Sequence, residues 1–406
     1  MFSTGAYIDS LTLNGRIQDA LLGNLKDPAV ALLYELTDTY TDSLPLLEKP
    51  NYVAVVRDST AQFAFTNLKA GTYRLFAIQE SQTNYVFQPR QDKFGFYSGT
   101  ITLPTDSTYT LSLFKELPEF KWKTPKHEAK QRITLAYQGQ LPKPFNVNAL
   151  TKSLNGKITK DLEKDSLYYW FKPPLDLETQ DSLTLIANTP LISDTLHVRL
   201  RNLYNDSLVV TSLHKGVLSP SDTLRFTGST PIERIDISKI ALLEKDSIPT
   251  QFNISQDSFL NTFTLNFTPK ETTRYTLSFL PDCVTDFFNQ TNKDTLQFKY
   301  RTQAVSDYGS LQINLNNVAT FPAIVQLVNT RFEVIKSQTL TENTPVLFSY
   351  INPATYQIRV IYDTNANSKW DTGNYLKNLQ PESVVYAKEP ITIRSNWAEV
   401  IQFNLE

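Results

Sequence analysis

A strand–turn–strand phrase occurs twice in the chain, once near each end, and it constrains the fold more than any other feature. Phe63-Ala64-Phe65-Thr66-Asn67-Leu68-Lys69-Ala70-Gly71-Thr72-Tyr73-Arg74-Leu75 is matched late in the chain by Phe348-Ser349-Tyr350-Ile351-Asn352-Pro353-Ala354-Thr355-Tyr356-Gln357-Ile358. In each copy a strand ends, a short polar turn follows, and an alternating strand opens on Thr-Tyr. Alternation with period two marks a half-buried strand. Gly71, after Lys69-Ala70, suits a backbone position with positive φ. Hairpins of this kind, repeated within one chain, belong to small β-sandwich modules.

At 406 residues, and with domains typically about 100–150 residues long, three or four domains are expected. The composition favours Thr, Ser, Asn, Tyr and Phe, a β-rich usage. Short strands recur between turn signals, and no helical pattern is long enough to cover a parallel sheet. The fold class expected is therefore all-β, a tandem array of β-sandwich domains. Four modules are drawn at residues 1–105, 106–205, 206–302 and 303–406, the last a divergent repeat of the first. Leu311–Leu315 matches the opening strand Leu11–Ile17, and Ala323–Val328 matches the buried strand Val30–Tyr34. Thr100–Leu103 is expected to close the first sheet, Tyr109–Phe114 to open the second module, and Ala398–Leu405 to close the fourth. Asp58-Ser59-Thr60 reads as a hairpin turn, and Pro281–Phe288 as a short helix.

A formal net charge of -2 suggests neither a nucleic-acid groove nor a polybasic membrane patch. No nucleophile elbow, dinucleotide loop or phosphate loop is present. His127, His197 and His214 are too few and too scattered for a conventional zinc site. Cys283, the single cysteine, cannot form an internal disulfide and reads as a buried structural thiol. Asp-Ser and Asp-Thr steps at Asp165, Asp181, Asp194, Asp206, Asp222 and Asp294 read as Asx turns. No apolar stretch approaches the length that spans a bilayer. Phe2-Ser3-Thr4-Gly5 looks like the last strand of an earlier module, which places an export signal in a preceding segment.

The most specific polar cluster is Asp363-Thr364-Asn365-Ala366-Asn367-Ser368-Lys369-Trp370-Asp371. Oxygen-bearing side chains at Asp363, Asn365, Asn367 and Asp371 resemble the first part of a Ca2+ loop, whose alternate spacing aims oxygens at one hard cation. Ser368 stands where such a loop has Gly, and Asn374 where it has Glu. Asn and Asp can equally hold the loop by bonding to its own backbone, so an ion site and a self-satisfied turn both remain open. Glu80-Ser81-Gln82-Thr83-Asn84 occupies the corresponding place in the first module. Aromatics are also plentiful, including Tyr168-Tyr169-Trp170-Phe171 and Trp122, Trp370 and Trp397. Exposed in a row they would form a glycan platform; otherwise they are packing residues.

Phe65–Leu75 resembles the carboxypeptidase regulatory-like, prealbumin-like modules of bacterial surface proteins. Phe2-Ser3-Thr4-Gly5 followed by Ile8-Asp9-Ser10-Leu11, Asp222-Thr223-Leu224 with Pro231-Ile232, and Asp363-x-Asn-x-Asn-x-x-Trp370-Asp371-x-Gly373 together resemble the Ig-like-domain envelope lipoproteins of Bacteroidetes. In those, S-layer-type bacterial Ig-like domains are combined with such modules. The resemblance implies Ig-like and prealbumin-like sandwiches, an N-terminal lipid anchor and an outer-membrane-associated location. It implies no catalytic residues. The expected role is a non-enzymatic, elongated envelope spacer or scaffold that binds a protein partner; the alternative is a carbohydrate-binding surface protein.

Overall fold

The computed structural model describes residues 10–57, 60–150, 154–172, 175 and 181–405. Phe2–Gly5 and Ile8-Asp9, and most of the turn expected at Asp58-Ser59-Thr60, lie outside these. The described chain is all-β, a tandem series of β-sandwich domains. It divides into two compact units: residues 1–118 together with 309–406, and residues 119–308.

The first unit contains two sandwiches of the same topology. In one, a sheet ordered Gln62–Leu68, Leu11–Asp19, Thr108–Leu113 faces a sheet ordered Tyr52–Val56, Ala29–Glu35, Gly71–Gln79, Lys93–Phe96, with Ile101–Leu103 also paired to Gly71–Gln79. In the other, the orders are Val346–Ile351, Gly309–Asn316, Ala398–Asn404 and Val334–Leu340, Ala323–Val328, Ala354–Tyr362, Val384–Tyr386, with Ile391–Ile393 in the extra position. Alternating strands such as Leu11–Asp19 and Gly309–Asn316 send every second residue into their respective cores, as the pleat requires. Leu13, Ile17, Phe65 and Leu75 fill one core, and Leu311, Ile313, Phe348 and Ile358 fill the other.

The repeated Thr-Tyr has a physical cause. The Tyr73 ring is buried, and its hydroxyl donates to the Lys69 carbonyl at 2.9 Å; the Tyr356 hydroxyl donates to the Asn352 carbonyl at 2.7 Å. Each tyrosine thus pins the turn that precedes it. The threonines pair across the sheet, Thr72 with Thr102 and Thr355 with Thr392. Positive φ falls not at Gly71 but at Asn67 and its counterpart Tyr350, beside a register shift that both copies share. A bulge takes up the extra residue there, which is why Ala354 can stand in Gly71's place.

Two sequence boundaries are corrected. Thr108–Leu113 does not open a second module; it pairs parallel to Leu11–Asp19 and buries Leu111 and Leu113 in the first core. It is the counterpart of Ala398–Asn404, which runs parallel to Gly309–Asn316. The unit boundaries accordingly fall at Pro118/Glu119 and Tyr308/Gly309. The two end modules fall together in one compact unit.

The second unit, Glu119–Tyr308, also holds two sandwich cores, one around Ile133, Tyr169, Phe171 and Leu185, the other around Phe226, Phe263, Leu277 and Phe279. A two-stranded ribbon of Ile232–Ile235 and Val284–Asp286 replaces the short helix expected over Pro281–Phe288. Side chains satisfy its amides: Asp286 Oδ1 accepts from Phe288 and Gln290 N–H, and Asn292 Oδ1 from that of Val284. Local bonds of this kind compete with helix formation.

Replacing Tyr73 or Tyr356 by Phe removes one hydroxyl and leaves the packing intact. Each change is expected to lower unfolding free energy by about 1 kcal/mol in chemical denaturation. No change from either would show the turns to be held by other means.

Candidate functional site

The loop after strand Ala354–Tyr362 concentrates the polar chemistry of the first unit. Asp363, almost fully buried, accepts the Asn367 N–H at Oδ1 (3.0 Å) and the Ser368 N–H at Oδ2 (2.7 Å). Asn365 Oδ1 accepts from Asn367 N–H at 3.2 Å, and Asn367 Oδ1 from Lys369 N–H at 2.8 Å. The side-chain amides of Asn365 and Asn367 both donate to Asp371 Oδ2, at 2.5 Å each. Ala366 and Ser368 take φ of 59° and 61°, so Ser368 adopts the left-handed turn for which a Ca2+ loop uses Gly.

Sequence reasoning missed Glu382. This buried carboxylate reaches back to accept from Thr364 N–H (2.6 Å), Thr364 Oγ1 (2.9 Å) and Asp371 N–H (3.0 Å), while the Trp370 indole donates to its carbonyl. It stands in for the acid absent at Asn374, whose own Oδ1 accepts from Lys377 N–H. Nothing in the local spacing pointed to it, because it lies beyond the loop it closes.

The same plan operates in the first module. Glu80 Oε2 accepts from Asn84 and Tyr85 N–H, the amides four and five residues on, as Asp363 does in the last module. A later acid, Asp92, takes the amides of Ser81 and Gln88. The structure thus brings Asn365, Asn367 and Asp371 together and sets Asp363 beneath them, with both its oxygens committed to backbone. Among the described residues no group of three His, Cys, Asp or Glu side chains has a metal-binding arrangement. Seating a hard cation would require both asparagines to turn oxygen toward Asp371 and Asp363 to release two amides.

Beyond Asp371 the loop grips the first module. Thr372 Oγ1 donates to the Lys115 carbonyl (2.8 Å), Tyr375 N–H to Glu116 Oε1 (2.5 Å), and the Gln380 amide to the Phe96 carbonyl (2.9 Å) and Ser98 Oγ (3.0 Å). Burial pushes the Glu116 carboxyl above its usual range. The Tyr375 ring stands edge-on to Phe76, Phe94 and Phe96 at 5.2–5.4 Å, a favoured aromatic geometry. Gly373 passes so close that a Cβ would lie 2.7 Å from the Phe114 ring and 2.6 Å from the Leu379 carbonyl. At a second contact, Tyr386 and the buried Arg359 donate to the Leu21 carbonyl.

The remaining candidates have structural partners. His127 is buried, accepts Arg201 N–H at Nδ1 and lies 3.3 Å from the Lys130 carbonyl through Nε2; burial lowers its pKa. Cys283 is buried and its thiol is pushed up to about 11, far from the thiolate form that reacts or binds metal. Asp206 does not form an Asx turn but pairs with Arg132 at 3.3 Å, and Asp222 binds back to Ser219 N–H and His214. Trp122 and Trp170 are buried, Trp370 is partly buried against the first module, and Trp397 is exposed. These four do not form the row of exposed rings that a stacking platform needs.

The loop is expected to hold its shape without an ion. Calorimetric titration of the chain with Ca2+ should give no saturable heat; saturable heat that disappears in Asp363→Ala and Asp371→Ala would instead establish a cation site.

No family model matches the chain, and no curated protein does. Among solved structures it is similar to the I-band fragment I67–I69 of titin, at 10% identity over 72% of this chain and 99% of that one, with a TM-score of 0.16. Drosophila OTK extracellular domains 3–5 align at 9% identity over 74% and 99% of the two chains, with a TM-score of 0.17. Domains 4–9 of the surface layer protein SbsC align at 9% identity over 90% of this chain and 57% of that one, with a TM-score of 0.23. Overlap this slight carries no inference about activity.

Proposed function

We propose that the chain is a non-catalytic structural or protein-interaction component of a bacterial cell envelope. The observation that carries this reading is where the acidic groups go. Asp363, Glu382, Glu80, Asp92 and Asp286 all hold backbone amides in shape, and Glu116 ties one module to another. Acids used this way rigidify loops; they are not a pair facing each other across a cleft, as general acid–base chemistry needs. The envelope location rests on the resemblance of the repeat and of the Asp363–Gly373 pattern to Bacteroidetes surface lipoproteins. The same resemblance is the ground for assigning attachment to an N-terminal lipid anchor; none of the described helices is long and apolar enough to cross a membrane. The two end modules, locked together, would give a firm base on which the sheet edges of the sandwiches meet a partner.

The test is fractionation and in situ crosslinking of the full-length protein in its own cells. It should sediment with the envelope and crosslink to a discrete protein partner. Recovery in the soluble fraction with no crosslinked species would refute the proposal.

A further inference from the structure

A cleft of about 370 Å³ opens within the unit built from the chain ends, lined by Tyr40, Arg74, Ser98, Thr100, Tyr375 and Asn378 among others. Its volume lies in the range of small-molecule sites. Arg74 supplies its positive charge. Nη1 of Arg74 is fixed by the carbonyls of Ser98 (3.1 Å) and Gly99 (2.9 Å). Nη2 lies 4.0 Å from Asp42, whose side chain is 73% exposed against 13% for Arg74. An ion pair that long, to an exposed carboxylate, contributes little.

Arg74 Nε has no hydrogen-bond partner among the described residues, and the buried hydroxyls of Tyr40 and Tyr375 have only each other, which leaves one of their two O–H donors without an acceptor. Tyr375 is 4% exposed. Buried donors without acceptors are uncommon and costly, and they call for an occupant. Burial also raises the Tyr375 pKa, keeping the hydroxyl a donor.

We propose that this cleft binds a small organic carboxylate, whose oxygens accept from Arg74 and from the free hydroxyl of the Tyr40–Tyr375 pair as the Asp42 side chain swings out to solvent. A single cation with an acid at its rim suits a monoanion better than a phosphate. Planar guanidinium and planar carboxylate also match in shape. Ser98, Thr100 and Asn378 around the cleft fit a ligand body bearing hydroxyl or amide groups. Such a carboxylate could belong to a uronic acid or to a peptide C-terminus.

The whole chain is titrated by calorimetry with galacturonate and galactose, and with N-acetyl-dialanine and its C-terminal amide. At least one acid should bind saturably while its neutral counterpart does not, and the stronger acid identifies the source. Arg74→Gln should weaken that binding roughly tenfold or more. Thr100→Trp, which fills the cleft from an exposed position and leaves Arg74 intact, should abolish it, and Asp42→Asn should strengthen it. Circular dichroism checks that each variant is folded. Failure of both acids to bind, equal binding of an acid and its neutral form, or binding that survives Thr100→Trp would overturn the proposal.

Discussion

The first unit depends on the insertion of one ring. Tyr375, carried on a loop of the last module, completes an aromatic cluster with Phe76, Phe94 and Phe96 of the first. On the outer face of the sheet containing Ala29–Glu35 and Gly71–Gln79 it joins Phe87, Phe114, Tyr40, Leu44 and Leu46 of the first module itself in covering Leu32, Phe76, Phe94 and Phe96. That face explains why Ala29–Glu35 is buried along nearly its whole length, although an antiparallel sheet with one solvated face would alternate. The strand's continuous apolar run thus encodes a sheet covered on both faces, the outer one by first-module side chains together with Tyr375.

Positioning that ring requires a stiff loop. Asp363 and Glu382 hold the loop's amides from two sides, and Asp371 gathers the two asparagine side chains. Each such bond to a charged acceptor exceeds a neutral one in strength, and burial of Asp363 and Glu382 keeps water from competing. The counterpart loop at Glu80 uses the same two-acid plan within its own module. Both modules thus carry a rigid loop at this place, and in the last one the chain beyond it forms a clasp on the first.

Much of this was legible in the residues. The Thr-Tyr hairpins and the opening strands are local patterns of period two, the buried central strands are short continuous apolar runs, and the structure forms each of them. Thr108–Leu113 was misplaced because its partner is a parallel strand far back in the chain, and parallel pairing leaves no turn signature. The repeat held the missing clue, since Ala398–Leu405 was read as a closing strand and Thr108–Leu113 is its equivalent. The loop residues Asp363, Asn365, Asn367 and Asp371 were visible through their spacing, whereas Glu382, Glu116 and the role of Tyr375 depend on contacts no local pattern records. An acid four and five residues before two amides can serve an ion or the backbone, and only geometry separates the two.

Hydrogen exchange on the whole chain, compared between the unaltered protein and Tyr375→Ala, tests the central claim most directly. Removing the ring from the last module should speed amide exchange in Gly71–Gln79 and Lys93–Phe96 of the first, while Glu119–Tyr308 stays unchanged. Unaltered protection of those first-module strands would contradict the account, because it would show that the end modules stand without the clasp.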